Sequence, residues 1–190
     1  MNIGIFGGTF DPPHMGHIRL AEKAVQSCNL QRLILLPSAV PPHKKSDTSP
    51  YHRYNMAKLV AENYGYEISD MEYQKITPSY TVETIENFQK LYPCDNLFFI
   101  IGGDSMLDFE KWYKWDKLIN MCTFIVGTRK KQEAKKVKEF AEKKKLENNA
   151  KIIVLDFDPV EISSTQIRQN EDFENIPDCI KDYIKENSLY

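Results

Sequence analysis

Two glycines and two histidines within the first seventeen residues have the types and spacing for phosphate chemistry. Asn2-Ile3-Gly4-Ile5-Phe6 is a short apolar run that reads as a buried strand. Gly7-Gly8 permits a tight turn and close approach of backbone to a ligand, and Asp11-Pro12-Pro13 stops the strand before an amphipathic helix begins near His14. A strand, a glycine turn and a helix start together present backbone N–H groups to an anion, with the helix dipole in support. His14 and His17 stand i, i+3, so both imidazoles lie on one face of the first helical turn. Two such donors suit a polyphosphate. The residues alone leave alternatives open: the glycine turn can be only a turn, and the histidines can be surface residues or metal ligands. No obvious further Cys, His or carboxylate set stands at ligand spacing.

Two other stretches carry charge or hydroxyls in arrangements that bind anions. Pro41-Pro42-His43-Lys44 lies in a loop after the second apolar run, where two prolines stiffen the chain and can hold Lys44 toward a cleft; composition alone favours a simple solvated loop. Ile162-Ser163-Ser164-Thr165-Gln166-Ile167-Arg168 places hydroxyls at a helix start with Arg168 one turn on, which is either an anion pocket or a plain N-cap.

The elements that must position these groups alternate between strand and helix. Helical periodicity runs from His14 through Ile18, Leu20, Ala21, Ala24 and Val25 and stops near Asn29; Arg32–Leu36 reads as a second buried strand. Ser49-Pro50 resembles an N-cap with Pro at N1, opening a helix that Gly65 can end. After a short strand at Tyr66–Ser69, a helix starts near Ser79–Glu83, capped by Thr81 with Thr84 or by Ser79 with Val82-Glu83, and ends before Pro93. Leu97–Ile101 is the most apolar strand and breaks at Gly102-Gly103-Asp104-Ser105, a second strand-to-glycine junction. Cys122–Val126 and Lys151–Leu155 are further strands flanking a lysine-rich helix, and Pro177 opens a last helix. The alternation predicts an α/β fold, a doubly wound parallel sheet of Rossmann-like type, in one domain over 1–190 with a helical part from about 163. Ligands of such sheets sit at the carboxyl ends of the strands, where both glycine junctions and Ser163-Ser164-Thr165 fall.

Composition narrows the class. The 190 residues suffice for one substantial core, and a net charge of −2 gives no global basic surface for nucleic acid. Lys135, Lys136, Lys138, Lys143, Lys144 and Lys145 are interleaved with Glu133, Glu139 and Glu142, as on a solvated helix face, with Val137, Phe140 and Ala141 as its core stripe. No apolar run approaches the roughly 20 residues that span a bilayer. The chain opens directly into a strand without a signal-peptide pattern, so cytoplasm is expected. Cys28, Cys94, Cys122 and Cys179 form no CxxC pair and read as free, buried, structural thiols.

His14-Met15-Gly16-His17 resembles the His-x-Gly-His signature of the nucleotidyltransferase superfamily, and Ile162–Arg168 resembles its second signature, Ile-Ser-Ser-Thr-x-Ile-Arg. The Pro-Pro-His-Lys loop, Pro78-Ser79-Tyr80-Thr81, Gly102-Gly103-Asp104 and Lys111-Trp112-Tyr113 are similar to segments of bacterial nicotinate-nucleotide adenylyltransferases, with Gly103 where many relatives have Ala. Pantetheine-phosphate adenylyltransferases share the first signature but typically lack the Pro-Ser-Tyr-Thr and Lys-Trp-Tyr segments. The resemblance implies transfer of the adenylyl group of ATP to nicotinate mononucleotide, giving nicotinate adenine dinucleotide and pyrophosphate, with Mg²⁺ accompanying ATP. It implies catalytic roles for His14, His17, Lys44 and Arg168. ATP would be bound by Gly7, Gly8, Thr9, Phe10, Gly102, Asp104, Ser105, Ile162, Ser163, Ser164 and Thr165. The pyridine nucleotide would be bound by Tyr80, Thr81, Asp104, Trp112, Tyr113 and Arg129. Trp112 offers a flat face to a pyridinium ring, and the helix start at Tyr80–Thr81 offers N–H groups to a ring carboxylate. Trp115 receives no role. Small-molecule substrates, no nucleic acid and no membrane are the expected partners, with a homo-oligomer left open; the Pro41–Ser49 loop is the candidate for closing on substrate.

Overall fold

The computed structural model describes residues 1–40, 46, 48–74, 77–128, 131–155, 162–170 and 173–190. Six parallel strands form one sheet in the order β3-β2-β1-β4-β5-β6: β1 (Asn2–Gly8), β2 (Arg32–Pro37), β3 (Glu67–Ile68), β4 (Asn96–Gly102), β5 (Thr123–Gly127) and β6 (Ile152–Val154). The helices are α1 (Met15–Cys28), α2 (Pro50–Tyr64), α3 (Thr81–Leu91), α4 (Gly103–Leu107), α5 (Trp115–Leu118), α6 (Lys131–Asn148), α7 (Ser164–Asn170) and α8 (Asp178–Glu186).

Period-two side chains divide the core into two layers. Ile3, Ile5, Ile34, Leu36, Leu97, Phe99, Ile101, Phe124 and Val126 meet residues of α3–α6 on one face. Phe6, Leu33, Leu35, Ile100 and Ile125 meet α1, α2, α7 and α8 on the other. Burial on both faces is why the strands read as unbroken apolar runs instead of alternating ones.

Local signals set most helix ends. Ser49 accepts a hydrogen bond from the His52 N–H with Pro50 in the first turn, and Gly65 closes α2 at φ 69°. Asn29 ends α1 in the left-handed region at φ 47°. α3 starts within the expected Ser79–Glu83 stretch, but without the expected side-chain cap. Its N-cap is Tyr80, with no side-chain cap bond, while Ser79 is buried. At Gly102-Gly103-Asp104-Ser105 the strand ends as its glycines predict, and α4 begins at Gly103 directly from β4.

Two readings of the outer surface are corrected. Lys144 is buried beside Glu110 and Glu147 with its ammonium 4.7 Å from the Trp115 ring centre, so it pins α6 to the Trp112–Trp115 segment instead of facing solvent. The hydrogen bond to Glu110 holds its pKa above the ordinary lysine value. All four cysteines are free, but Cys94 is exposed and Cys179 only half-buried. Among the described residues no helix is long and apolar enough to cross a membrane.

Candidate active site

The sheet itself opens the site. β1 pairs with β4 only as far as Phe6 opposite Ile100, yet β1 runs on to Gly8 against Pro37 of β2, and β4 to Gly102 against Gly127 of β5. Past Phe6 the two central strands therefore part, at the point where the strand order reverses, and a crevice forms at their carboxyl ends. Its volume is about 880 Å³.

His14 and His17 line this crevice at the start of α1. Their rings are 3.8 Å apart, centre to centre. The His14 N–H donates to Nδ1 of His17 at 3.1 Å, which leaves the proton of neutral His17 on Nε2 and makes that nitrogen a donor. Phe10 sits in the left-handed region at φ 50°, a costly conformation for a bulky residue. Its buried ring packs edge-on against Phe6 and His17, and this packing holds the turn. The same ring explains Gly8, where a Cβ would approach it to 3.1 Å.

The second signature closes the crevice from the far end of the chain. Ser163 Oγ accepts from the Gln166 N–H and caps α7. Ser164 Oγ donates to the Pro12 carbonyl at 3.0 Å, and Arg168 Nη1 donates to the Asp11 carbonyl, so two segments some 150 positions apart are stitched together. Arg168 Nη2 also reaches the Thr165 hydroxyl at 3.4 Å. Ile162 is buried beside them.

The opposite wall is aromatic and polar. Tyr80 and Tyr113 lie with ring centres 4.7 Å apart, and Trp112 leans on Phe109 at 5.3 Å. Thr81, at the start of α3, and Ser105 line the crevice with them. Asp104, exposed in the first turn of α4, accepts from the Ser105 N–H at 2.9 Å.

Gly7, Gly8, Thr9, Phe10, His14, His17, Tyr80, Thr81, Gly102, Asp104, Ser105, Trp112, Tyr113, Ile162, Ser163, Ser164, Thr165 and Arg168 thus share one crevice. Lys44 and Arg129 lie outside the described residues, as does most of the Pro41–Ser49 loop.

One residue the sequence reading passed over organises the site's floor. Arg53, on α2, is buried and donates to the carbonyls of Thr9, Ser38, Ala39 and Thr48. It ties the loop after β1 to both ends of the segment between β2 and α2. Burial pulls its pKa below the usual arginine value and Asp11 opposes that shift. In the sequence it looks like one more polar residue on a helix; only its place three residues inside a Ser-Pro helix start, facing apolar Met56, Ala57 and Val60, hints otherwise.

A doubly wound parallel sheet with a split centre and phosphate-type donors on both sides of the split defines a nucleotide-binding α/β protein. The cytidylyltransferase-like family matches residues 5–170. A nicotinate-nucleotide adenylyltransferase of Bacillus subtilis (strain 168) is 36% identical over 196 residues, covering 99% of this chain and 97% of its own length. Among solved structures, Plasmodium falciparum nicotinic acid mononucleotide adenylyltransferase complexed with NaAD superposes with a TM-score of 0.82 at 21% identity, covering 100% of this chain and 97% of that one. The same Plasmodium protein complexed with APC gives 0.77 at 22%, covering 100% and 96%. At those identities the structural likeness is one of fold. The chain belongs to the cytidylyltransferase-like family and, within it, to the nicotinate-nucleotide adenylyltransferases.

Proposed function

We infer that this chain is an enzyme of NAD biosynthesis that transfers the adenylyl group of ATP to nicotinate mononucleotide, forming nicotinate adenine dinucleotide and pyrophosphate in the cytoplasm. The observation that carries the reading is the meeting of two superfamily signatures, His14–His17 and Ile162–Arg168, across one crevice whose other wall bears Tyr80, Thr81 and Trp112. Identity of 36% along nearly the whole of a bacterial relative supports the substrate pair.

An oxygen of the mononucleotide's phosphate attacks the α-phosphorus of ATP. The bond from that phosphorus to the bridging oxygen breaks, and its electron pair leaves with pyrophosphate. A phosphate monoester with a second pKa of about 6 is already largely dianionic at neutral pH, so no general base is required. Catalysis then consists of in-line positioning and of donors aimed at the charge that builds around the α-phosphorus. His17, as its Nε2–H tautomer, His14, Lys44 and Arg168 take that role in this reading. Gly7, Gly8, Thr9 and Phe10 contact ATP through their backbone; Gly102, Asp104, Ser105 and Ile162–Thr165 complete its site. Trp112 and Tyr113 face the pyridine ring, the start of α3 at Tyr80–Thr81 receives its carboxylate, and Asp104 accepts from a ribose hydroxyl. Arg129 helps to hold the mononucleotide phosphate.

Mg²⁺ enters with ATP as part of the substrate. In this reading phosphate oxygens and water are its main ligands, as befits a small, hard cation carried by a triphosphate. The ion would supply charge neutralisation to the pyrophosphate oxygens when ATP is bound.

Pyrophosphate release with Mg-ATP tests the reading, offering nicotinate mononucleotide, nicotinamide mononucleotide and phosphopantetheine in parallel. Strong preference for the first is expected. Equal use of both pyridine nucleotides would remove the carboxylate site, and turnover with phosphopantetheine alone would overturn the substrate.

A further inference from the structure

The Asp11 carboxylate lies inside the first signature, yet it is buried and engaged on both oxygens by residues from distant parts of the chain. Tyr190 donates its phenol hydrogen to Oδ1 at 2.7 Å, from 179 positions away. Ser46 donates to Oδ2 at 2.7 Å, and Arg168 Nη1 stands 3.5 Å from the same oxygen while bonding the Asp11 carbonyl. The guanidinium of Arg53 is close enough to feel the carboxylate's charge. Asp11 is thus a buried anion balanced by two guanidiniums, and it is poorly suited to face a triphosphate itself. What it touches is more telling. Arg168 belongs to the second signature, and Ser46 follows directly on the segment that carries Lys44.

We propose that Tyr190 and Asp11 form a positioning pair: the phenol fixes the carboxylate, and the carboxylate sets the Arg168 guanidinium at the triphosphate end of the crevice. The pair acts through Arg168 and touches no reacting atom. Its importance rests on the adenylyl-transfer reading for turnover, but not for nucleotide binding. The geometry favours a fixed pair over a loose contact. Tyr190 packs against the core layer of α1, α2 and α8, so its ring is held independently of the hydrogen bond. Burial, with Asp11 adding to it, pushes the phenol pKa well above the ordinary tyrosine value, so the donor stays protonated throughout the working pH range. Asn187 Nδ2 bonds the Tyr183 carbonyl and the Leu189 N–H bonds the Ile184 carbonyl, which brings the chain back from α8 toward Asp11.

The test is a double-mutant cycle on the full chain with Tyr190→Phe, Arg168→Ala and the pair of changes together. Steady-state kinetics with both substrates, calorimetric titration with a non-reacting ATP analogue and thermal melting are read on each. Tyr190→Phe removes one oxygen and keeps the ring, so the variant folds. Its kcat/KM for ATP is expected to fall about tenfold, as for loss of one charge-assisted hydrogen bond, with KM for nicotinate mononucleotide unchanged. In the Arg168→Ala background the same change is expected to have no further effect, because the group it positions is gone. A second variant, Asp11→Asn, is expected to match the loss of Tyr190→Phe or exceed it. Wild-type kinetics in Tyr190→Phe, or the same fold-loss with and without Arg168, would overturn the pair. If the wild type binds the ATP analogue but makes no dinucleotide, the functional reading fails while analogue affinity still decides the pair by the same pattern; a wild type that binds no ATP analogue overturns both.

Discussion

Gly16 lies so close against the ring of His14 that a Cβ there would stand 2.9 Å from both Cε1 and Nδ1. The glycine inside the histidine signature is therefore a space requirement, set by a neighbour two positions earlier. Helix propensity pulls the other way, since Ala in α1 would be favoured over Gly by about 1 kcal/mol. Gly16→Ala is accordingly expected to leave the melting temperature unchanged or raise it. It should lower kcat by about tenfold or more, because the His14 ring, tilted against that of His17, must move. Calorimetric melting and turnover measured on the same preparation check the opposed signs; a fall in melting temperature with turnover unchanged would mean that the glycine serves the fold and not the histidine ring.

Arg53 is the second test. Replacing it by Met leaves the carbonyls of Thr9, Ser38, Ala39 and Thr48 without their donor and Asp11 without one of its two balancing cations. A loss of about 3–5 kcal/mol is expected on the scale of a broken buried charge network. For a chain of this size that lowers the melting temperature by roughly 10 °C. Arg53→Lys should rescue little, since one ammonium cannot reach carbonyls spread around a planar fork. Thermal unfolding of both variants, followed by circular dichroism, decides.

The thiols offer a test of burial. Burial pushes the Cys122 thiol up to about 12, with a bond from the Phe99 backbone opposing it. At pH 8 its reactive thiolate is then on the order of one part in ten thousand, and the fraction grows only as pH climbs toward that value. Iodoacetamide on the native protein at pH 8 is expected to modify exposed Cys94 and leave Cys122 untouched until denaturant is added. Peptide mass mapping reads this directly, and native-state labelling of Cys122 would contradict its place in the buried layer with Phe99 and Phe124.

The elements were legible wherever the chain announces them locally. Ser49, Pro50 and Gly65 bound α2 through interactions with their own neighbours, and Asn29 and Pro177 mark ends in the same way. α3 starts inside the stretch that its sequence marks, but the cap was not legible there: Ser79, which has the right side chain for one, is buried, and Tyr80 takes the cap position without a side-chain bond. In the sequence Lys144 is one of a run of lysines patterned for solvent, and only the approach of Glu110 and Trp115 from other elements makes it a buried cation. The crevice lining was legible as motifs, but the bonds that hold those motifs in place were not. Asp11 with Tyr190, Arg53 with Thr9 and Ser164 with Pro12 are contacts between residues 44 to 179 positions apart, and no periodicity or spacing encodes them.

The parting of β1 and β4 after Phe6 and Ile100 has a bearing on how such a protein changes over time. The gap arises from the direction in which the chain winds on either side of the sheet, and not from any small side chain that happens to leave room. Substitutions along its walls can alter what fits there, but none of them can zip the two strands shut. A lineage built on this scaffold is free to exchange one acceptor molecule for another while the place where chemistry happens is inherited unchanged.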